Sequence, residues 1–309
     1  MKGIELARKF YQEYGKKMIS EQFSEFEDRI AIGLVGHGSE CFGFDDEISQ
    51  DHDFEPGFCI WITEDDEKMF GFKLFRAYSK LPCEFEGFVL KEKSLYGSGK
   101  KGVVTISEFY RQYTGRNGAP ETLEDWLYTP SHYLAEAVNG EVFCDPLGEF
   151  TKIRNKIKNG MPEDVRLKKI ASCAFYLAQY GQYNYTRCLA HGECGAAALA
   201  LAEFVKKGVE IVFLLNRAHM PYYKWAFRAM KSLDILSESG IFLEDMMNKS
   251  NHDYEQVEKG IEDFCAVIAS ELRRQGISVS DSDYLESHAY NINERISDHK
   301  LRNMPIMLQ

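Results

Sequence analysis

Two short apolar runs, at residues 32–35 and 58–62, frame the stretch that most constrains the fold. Each run has the length and composition of a buried strand. The first run ends in the small-residue turn GHGS at residues 36–39, and Asp51-His52-Asp53 precedes the second. This order of strand, glycine-containing turn, acidic segment and strand favours a sheet that carries the turn and the acids close together.

The acidic pair and the turn predict complementary chemistry. Asp51 and Asp53 are two residues apart, so in an extended chain their carboxylates point to the same side. Two such charges repel unless a cation lies between them, and oxygen ligands suit Mg²⁺ together with substrate phosphates. Gly38 lets the backbone approach a phosphate, Ser39 can donate its hydroxyl, and a helix beginning near residue 40 would add N–H groups. The pattern predicts phosphoryl or nucleotidyl transfer; the alternative is an acidic loop between two core strands.

Gly38-Ser39, eleven intervening residues and Asp51-x-Asp53 resemble the signature of the polymerase-beta-like nucleotidyltransferase superfamily. The fuller string, with GHGSEC, then DDE and then DHD, is similar to an uncharacterised bacterial subgroup of stand-alone members related to aminoglycoside nucleotidyltransferases. Superfamily members usually keep apolar residues after the second aspartate, whereas residues 55–57 here are EPG. Because proline cannot donate to a sheet ladder, we expect the carboxylates at a strand edge or a bulge.

The resemblance implies an Mg²⁺-dependent nucleotidyltransferase, with Asp51 and Asp53 as metal ligands for one or two ions. Gly38 and Ser39 would bind the β and γ phosphates of ATP or another nucleoside triphosphate. The transferred group would be a nucleoside monophosphate, most simply AMP, and the acceptor a hydroxyl of a small molecule such as an aminoglycoside-like compound. Two alternatives stay open: a protein or tRNA acceptor, as in toxin-like relatives, and a nucleotide-binding regulatory module without catalysis.

Five other charged residues are candidates for the rest of such a site. Glu84 and Glu86 alternate along residues 81–89, and the resemblance implies a carboxylate on a later strand as metal ligand or general base. Glu193 is the alternative general base, supplied from the second domain. Lys224 and Arg187 are candidates for binding phosphate oxygens or the acceptor. The competing interpretation of these residues is exposed loop glutamates, surface charges and helix-end pairs.

The sequence texture changes near residue 151, where strand patterns give way to helical stripes. We therefore predict an α+β protein. Residues 1–152 form a nucleotidyltransferase-type mixed sheet with flanking helices, and residues 153–309 an all-α helical bundle. We expect helices at residues 3–26 and 64–79, and one at 108–113 capped by Ser107. We also expect a hairpin at Asn139-Gly140, helices ending at Gly181 and Gly208, one over residues 221–237, and an apolar stripe over 257–272 capped by Gly276. In aminoglycoside-type relatives the substrate lies in the cleft between two such domains.

Net charge, cysteine content and apolar segments limit the kinds of partner and the compartment that we expect. The 309 residues carry a net charge of −11, which argues against a nucleic-acid polymer and is compatible with a cationic small acceptor. Eight cysteines without a C-x-x-C pair indicate free thiols in a reducing cytoplasm. No apolar leader or membrane-length stretch is present in the sequence, so we expect a cytoplasmic protein.

Overall fold

The computed structural model describes residues 1–48, 55–89, 101–249 and 253–307. The chain divides into two compact units, Met1–Gly160 and Met161–Gln309. The first contains a mixed sheet with helices, and the second is helical in the part that is described. The α+β prediction is confirmed, while the assignment of catalysis to residues 1–152 stays a prediction.

Within the described residues of the first unit, the strands form a four-stranded sheet and a separate two-stranded one. They are β1 (Ala31–Leu34), β2 (Cys59–Ile62), β3 (Glu84–Phe85), β4 (Phe88–Val89), β5 (Gly102–Thr105) and β6 (Glu141–Cys144). The larger sheet has the order β5-β2-β1-β6, in which β1 is antiparallel to both neighbours and β2 is parallel to β5. Gly33 pairs with Cys59, so the end of β1 lies beside the start of β2.

Alternation along the central strands buries both faces of this sheet. Ile32 and Ile60 belong to a core cluster that also contains Leu6 of the N-terminal helix. Trp61 points to the opposite face, where its ring stacks on Phe150 with centroids 3.8 Å apart. The sheet is therefore covered on both sides, which holds the ends of its strands in place.

Eight α-helical segments belong to the described part of the first unit. They are α1 (Gly3–Phe10), α2 (Lys16–Gln22), α3 (Glu64–Asp66), α4 (Phe72–Tyr78), α5 (Ile106–Thr114), α6 (Leu123–Tyr128), α7 (Ser131–Val138) and α8 (Glu149–Asn159). π-helical turns at Tyr11–Gly15 and Glu67–Gly71 join α1 to α2 and α3 to α4.

Several predicted boundaries in this unit were wrong. The first helix ends at Gln22, before a 3₁₀ segment at Ser24–Arg29. Helix α5 is capped by Thr105 and not by Ser107, because Thr105 Oγ1 accepts the Glu108 N–H at 3.2 Å in a capping box. Asn139-Gly140 joins α7 to β6 and makes no hairpin, because β6 pairs with the distant β1.

The helices of the second unit follow one another along its described residues. They are α9 (Glu163–Leu177), α10 (Thr186–Ala190), α11 (Cys194–Leu215), α12 (Tyr223–Met230), α13 (Ser239–Lys249), α14 (Tyr254–Arg274), α15 (Leu285–Glu294) and α16 (His299–Asn303). A π-helical segment, Ala178–Tyr185, continues α9 into α10.

Glycines explain two of the errors in this unit. Gly181 and Gly208 lie inside continuous helical segments. A Cβ on Gly181 would lie 2.4 Å from Phe204, and one on Gly208 would lie 3.1 Å from Phe264. These glycines therefore permit close packing and do not end helices. Helix α12 ends at Met230, short of the predicted residue 237, whereas the stripe in α14 is confirmed, with Gly276 at φ 67° beyond its end.

Two polar side chains, one buried and one partly buried, fix helix ends in the second unit. Lys168 Nζ donates to Asn293 Oδ1 at 2.8 Å and to the Met304 carbonyl at 2.7 Å. The Asn216 side chain, which follows α11, accepts the Ile235 N–H at 2.8 Å and donates to the Ile235 carbonyl at 2.8 Å. These bonds pair backbone groups that no helix satisfies.

Candidate functional site

The turn after β1 takes a backbone conformation that requires glycine. Gly36 has φ 128° and Gly38 has φ 106°, both in the region that residues with a Cβ rarely adopt. A Cβ on Gly36 would also lie 2.7 Å from the Tyr113 hydroxyl. Ser39 begins a single 3₁₀ turn, Ser39–Phe42, in place of a longer helix. Gly38 and Ser39 thus lie where the strand ends and the backbone turns sharply.

A second turn, at Asn139 and Gly140, holds the first one. Asn139 Oδ1 accepts the Gly36 N–H at 2.9 Å, and Asn139 Nδ2 donates to the Gly36 carbonyl at 2.7 Å. The Gly140 N–H donates to the Cys41 carbonyl at 2.8 Å. Behind them, Arg154 Nη2 donates to the carbonyls of Asn139 and Gly140 at 3.1 and 3.2 Å. Both ends of the segment from Gly36 to Cys41 are therefore fixed.

Asp51 and Asp53, the predicted metal ligands, lie outside the described residues. The segment that follows them is held by two side chains. Lys101 Nζ donates to the Glu55 carbonyl. The Tyr78 hydroxyl accepts the Phe58 N–H at 3.0 Å and donates to the Phe58 carbonyl at 2.8 Å. Burial raises the pKa of Tyr78, so this hydroxyl keeps its proton at ordinary pH.

The glutamates proposed as a third carboxylate do not share a strand face. Glu84 lies in β3, but Glu86 has φ 52° and Gly87 has φ 82°, so the chain reverses direction between β3 and β4. Glu86 and Gly87 form the tight turn of this hairpin. Glu84 and Glu86 are both exposed. The predicted alternation was wrong because the apolar run is two short strands and not one.

The three remaining candidates lie on the surface of the second unit. Arg187 is exposed, with its guanidinium 5.0 Å from the Tyr183 ring centroid. Lys224 is exposed beside the Trp225 ring. Glu193 is exposed at the position that precedes α11, and its side chain makes no capping hydrogen bond there. Their roles in phosphate binding and proton transfer stay predictions.

Two buried carboxylates near the turn were not singled out from the sequence. Asp45 accepts the Gly3 N–H at 2.8 Å and pairs with Lys2 at 3.5 Å, so it anchors the start of α1. Glu40 is buried within the 3₁₀ turn. Within the described ranges, no group of three or more His, Cys, Asp or Glu side chains is arranged to hold a metal ion.

Sequence reasoning also missed the bonds made by Asn139, Tyr78 and Lys101, which hold the backbone before and after the acidic pair in the sequence. Their partners are 103, 20 and 46 residues away in the sequence. Only the Asn-Gly turn signal marked one of them, and that signal carried no information about its partner.

Comparisons with known proteins add little to this geometry. Residues 126–226 match the model of a family described as a domain of unknown function, DUF4037. This match includes Asn139, Gly140 and Arg154, but it begins after the turn that follows β1 and so does not contain that turn. No curated protein matches. Each helix within the described ranges is too short or too polar to cross a lipid bilayer.

One solved structure with some likeness is the crystal structure of a nucleotidyltransferase-like protein from Exiguobacterium sibiricum 255-15. Its sequence is 10% identical, with a TM-score of 0.38 over 92% of this chain and 80% of that chain. A likeness of this degree bears on neither substrate nor activity.

Proposed function

We propose that this chain is an Mg²⁺-dependent nucleotidyltransferase that moves AMP from ATP onto a hydroxyl of a small acceptor. The observation that supports the proposal most is the fixed, glycine-dependent turn at the end of β1. The strand that ends in this turn pairs through Gly33 with Cys59, the first residue of β2, and β2 follows Asp51-x-Asp53 in the sequence. A backbone held in this conformation offers N–H groups to phosphate oxygens without reorganisation.

We assign metal binding, phosphate binding and proton transfer to different residues of the chain. Asp51 and Asp53 provide the carboxylate set that suits one or two Mg²⁺ ions, which when bound supply charge neutralisation for the triphosphate. Gly38 and Ser39 bind the β and γ phosphates. A carboxylate takes the proton of the acceptor hydroxyl, whose oxygen bonds to the α-phosphorus as the bond to the bridging oxygen breaks and pyrophosphate leaves. That general base is Glu193 or one of Glu84 and Glu86.

Charge bears on the choice of acceptor. The net charge of −11 suits a small cationic acceptor and opposes binding of tRNA. Lys224 and Arg187, both exposed, provide cationic groups that bind phosphate oxygens or contact the acceptor. A protein hydroxyl as the acceptor is the variant that keeps the same chemistry.

One observation favours a second candidate, a nucleotide-binding module without catalysis. Glu84 and Glu86, the candidates for a third carboxylate in the first unit, are exposed and belong to the small hairpin of β3 and β4 and not to the larger sheet. If Glu193 is not the general base either, the chain would bind nucleotide and transfer nothing.

Thermal unfolding with each nucleoside triphosphate, with and without Mg²⁺, tests the proposal. A ligand at a hundredfold its Kd adds about 2.7 kcal/mol, which corresponds to several degrees in Tm. We expect Asp51→Asn and Asp53→Asn to abolish the metal-dependent shift and pyrophosphate release while the protein without nucleotide unfolds as before. Asp65→Asn, which changes an exposed carboxylate of α3, is the matched control.

Near-normal pyrophosphate release by either variant would refute the metal assignment. Nucleotide binding that does not depend on Mg²⁺, without pyrophosphate release, would favour the non-catalytic module.

A further inference from the structure

We propose that Asn139 is a positioning residue that holds the turn at residues 36–39 in the conformation that binds the triphosphate. The inference rests on the proposed function and extends it to a residue far from the turn in sequence. Asn139 does not touch the reacting groups in this account, since it acts through the backbone of Gly36.

The contact takes the place of strand pairing. Strand β1 ends at Leu34, so Gly36 lies beyond the ladder. Asn139 supplies one acceptor and one donor to it, at 2.9 and 2.7 Å, just as a neighbouring peptide group would. Gly140, at φ 61°, allows the close approach, because a Cβ there would lie 2.0 Å from the Leu34 carbonyl oxygen.

The amide chemistry at Asn139 is specific. Only a side chain that both accepts and donates can satisfy the N–H and the carbonyl of Gly36 together. An ionised aspartate keeps the acceptor, but its second oxygen would face the Gly36 carbonyl, and its charge would oppose a bound phosphate. Arg154 fixes the backbone of residues 139 and 140 from behind, so it supports the same arrangement.

The second unit supplies a matched control. Asn216 makes the same pair of bonds with Ile235, accepting its N–H and donating to its carbonyl at 2.8 Å each. Both asparagines are partly buried and both fix a residue outside regular structure. The same substitution removes the bond to the Gly36 carbonyl at Asn139, and it removes the bonds to the Ile235 and Val212 carbonyls at Asn216. Asn216 is therefore the more demanding control for stability, whereas Asn139 is the one that contacts the proposed phosphate turn.

The test compares Asn139→Asp and Asn216→Asp. Dissociation constants of ATP and AMP are measured with Mg²⁺ by calorimetry at a temperature well below unfolding, and stability is measured by urea unfolding. We expect both variants to lose stability. Only Asn139→Asp should weaken ATP binding, by about tenfold, while AMP, which lacks the β and γ phosphates, keeps its affinity.

The outcomes separate the two claims. Equal ATP affinity in Asn139→Asp and Asn216→Asp would overturn the positioning role and leave the proposed function standing. Failure of the unmodified protein to bind any nucleotide with Mg²⁺ would overturn the proposed function, and this inference with it. If Asn139→Asp does not fold, Arg154→Gln decides, since it keeps Asn139 and should lower the ratio of ATP to AMP affinity in the same direction. An unchanged ratio would refute the role.

Discussion

Each unit contains a π-helical turn in which a glycine faces a phenylalanine of another element. A Cβ on Gly15 would lie 2.4 Å from the Phe58 ring, and a Cβ on Gly181 would lie 2.4 Å from the Phe204 ring. The consequences differ, because Phe58 immediately precedes β2 and its backbone is bound by the Tyr78 hydroxyl. Phe204 lies inside α11 and packs on Phe264 with centroids 5.7 Å apart. The same local packing thus supports the strand that follows the acidic pair in one unit and the interior of the helical core in the other.

The largest expected effect on stability comes from placing a methyl group where these glycines meet the phenylalanine rings. Gly15→Ala and Gly181→Ala each force a methyl group into a packed ring, so we expect each to destabilise the protein by about 3 kcal/mol, the upper end of the usual range for overpacking. Gly195→Ala is the control, because nothing lies within 4 Å of its Cβ position in α11. There alanine should be neutral or stabilising by up to about 1 kcal/mol. Urea unfolding measures all three.

The affinity for ATP then distinguishes the glycine contact of the first unit from that of the second. Gly15→Ala should weaken Mg²⁺-dependent ATP binding, because it displaces Phe58 and the segment that follows Asp51 and Asp53 in the sequence. Gly181→Ala should lower the affinity less at temperatures where both variants are folded, because Arg187, a candidate for binding phosphate, lies in the next helix and not at the contact itself. Equal loss of affinity in both variants would mean that the difference between the units does not concern function.

A smaller effect is expected from Tyr78→Phe. The variant leaves the Phe58 N–H without its acceptor, whereas the Phe58 carbonyl still accepts the Gly102 N–H at 3.0 Å. One lost bond of this kind costs about 1 kcal/mol. We expect that loss in urea unfolding, together with weaker metal-dependent ATP binding. Tyr290→Phe, at a half-exposed position of α15, should change neither quantity. If Tyr78→Phe unfolds earlier but binds ATP normally, the tyrosine serves stability alone.

These contacts show which parts of the fold were accessible from the sequence. The turn at Gly36 and Gly38 was predictable because its need for glycine is local, and the stripe of α14 was predictable because helical periodicity is local too. The continuation of helices through Gly181 and Gly208 was not, because packing against Phe204 and Phe264 outweighs the poor helix propensity of glycine. The role of Asn139 depends on a partner 103 residues away, which no local pattern encodes.

The two proposed catalytic carboxylates outside the acidic pair illustrate the same limit. Glu86 was placed on a strand because its neighbours are apolar, but Gly87 allows the chain to reverse there. Glu193 was assigned from its position beside an apolar helix, and the structure places it at the start of α11. Alternation of residue types predicts which side chains are exposed, but it does not specify which of them meet.

The smallest expected effect concerns acid, and it compares a histidine from each unit. His288 is fully buried, with Nε2 2.6 Å from the Ser282 carbonyl and Nδ1 2.8 Å from Ser278 Oγ. Burial is the main cause that lowers the pKa of His288. The hydrogen bond to the Ser282 carbonyl opposes this shift, Arg273 adds to it, and Asp283 opposes it. Burial also lowers the pKa of His132 in α7, which is only partly buried.

A histidine whose pKa is lower in the folded protein takes up its proton more readily after unfolding. Its contribution to stability is therefore complete above the unfolded pKa of about 6.5 and is lost as the pH falls below it. Urea unfolding at pH 7.5 and 5.5 should show that the protein loses stability on acidification. His288→Gln should reduce that loss more than His132→Gln does, because His288 is the more completely buried. The reverse order would place the acid-sensitive group in the first unit and not in the helical one.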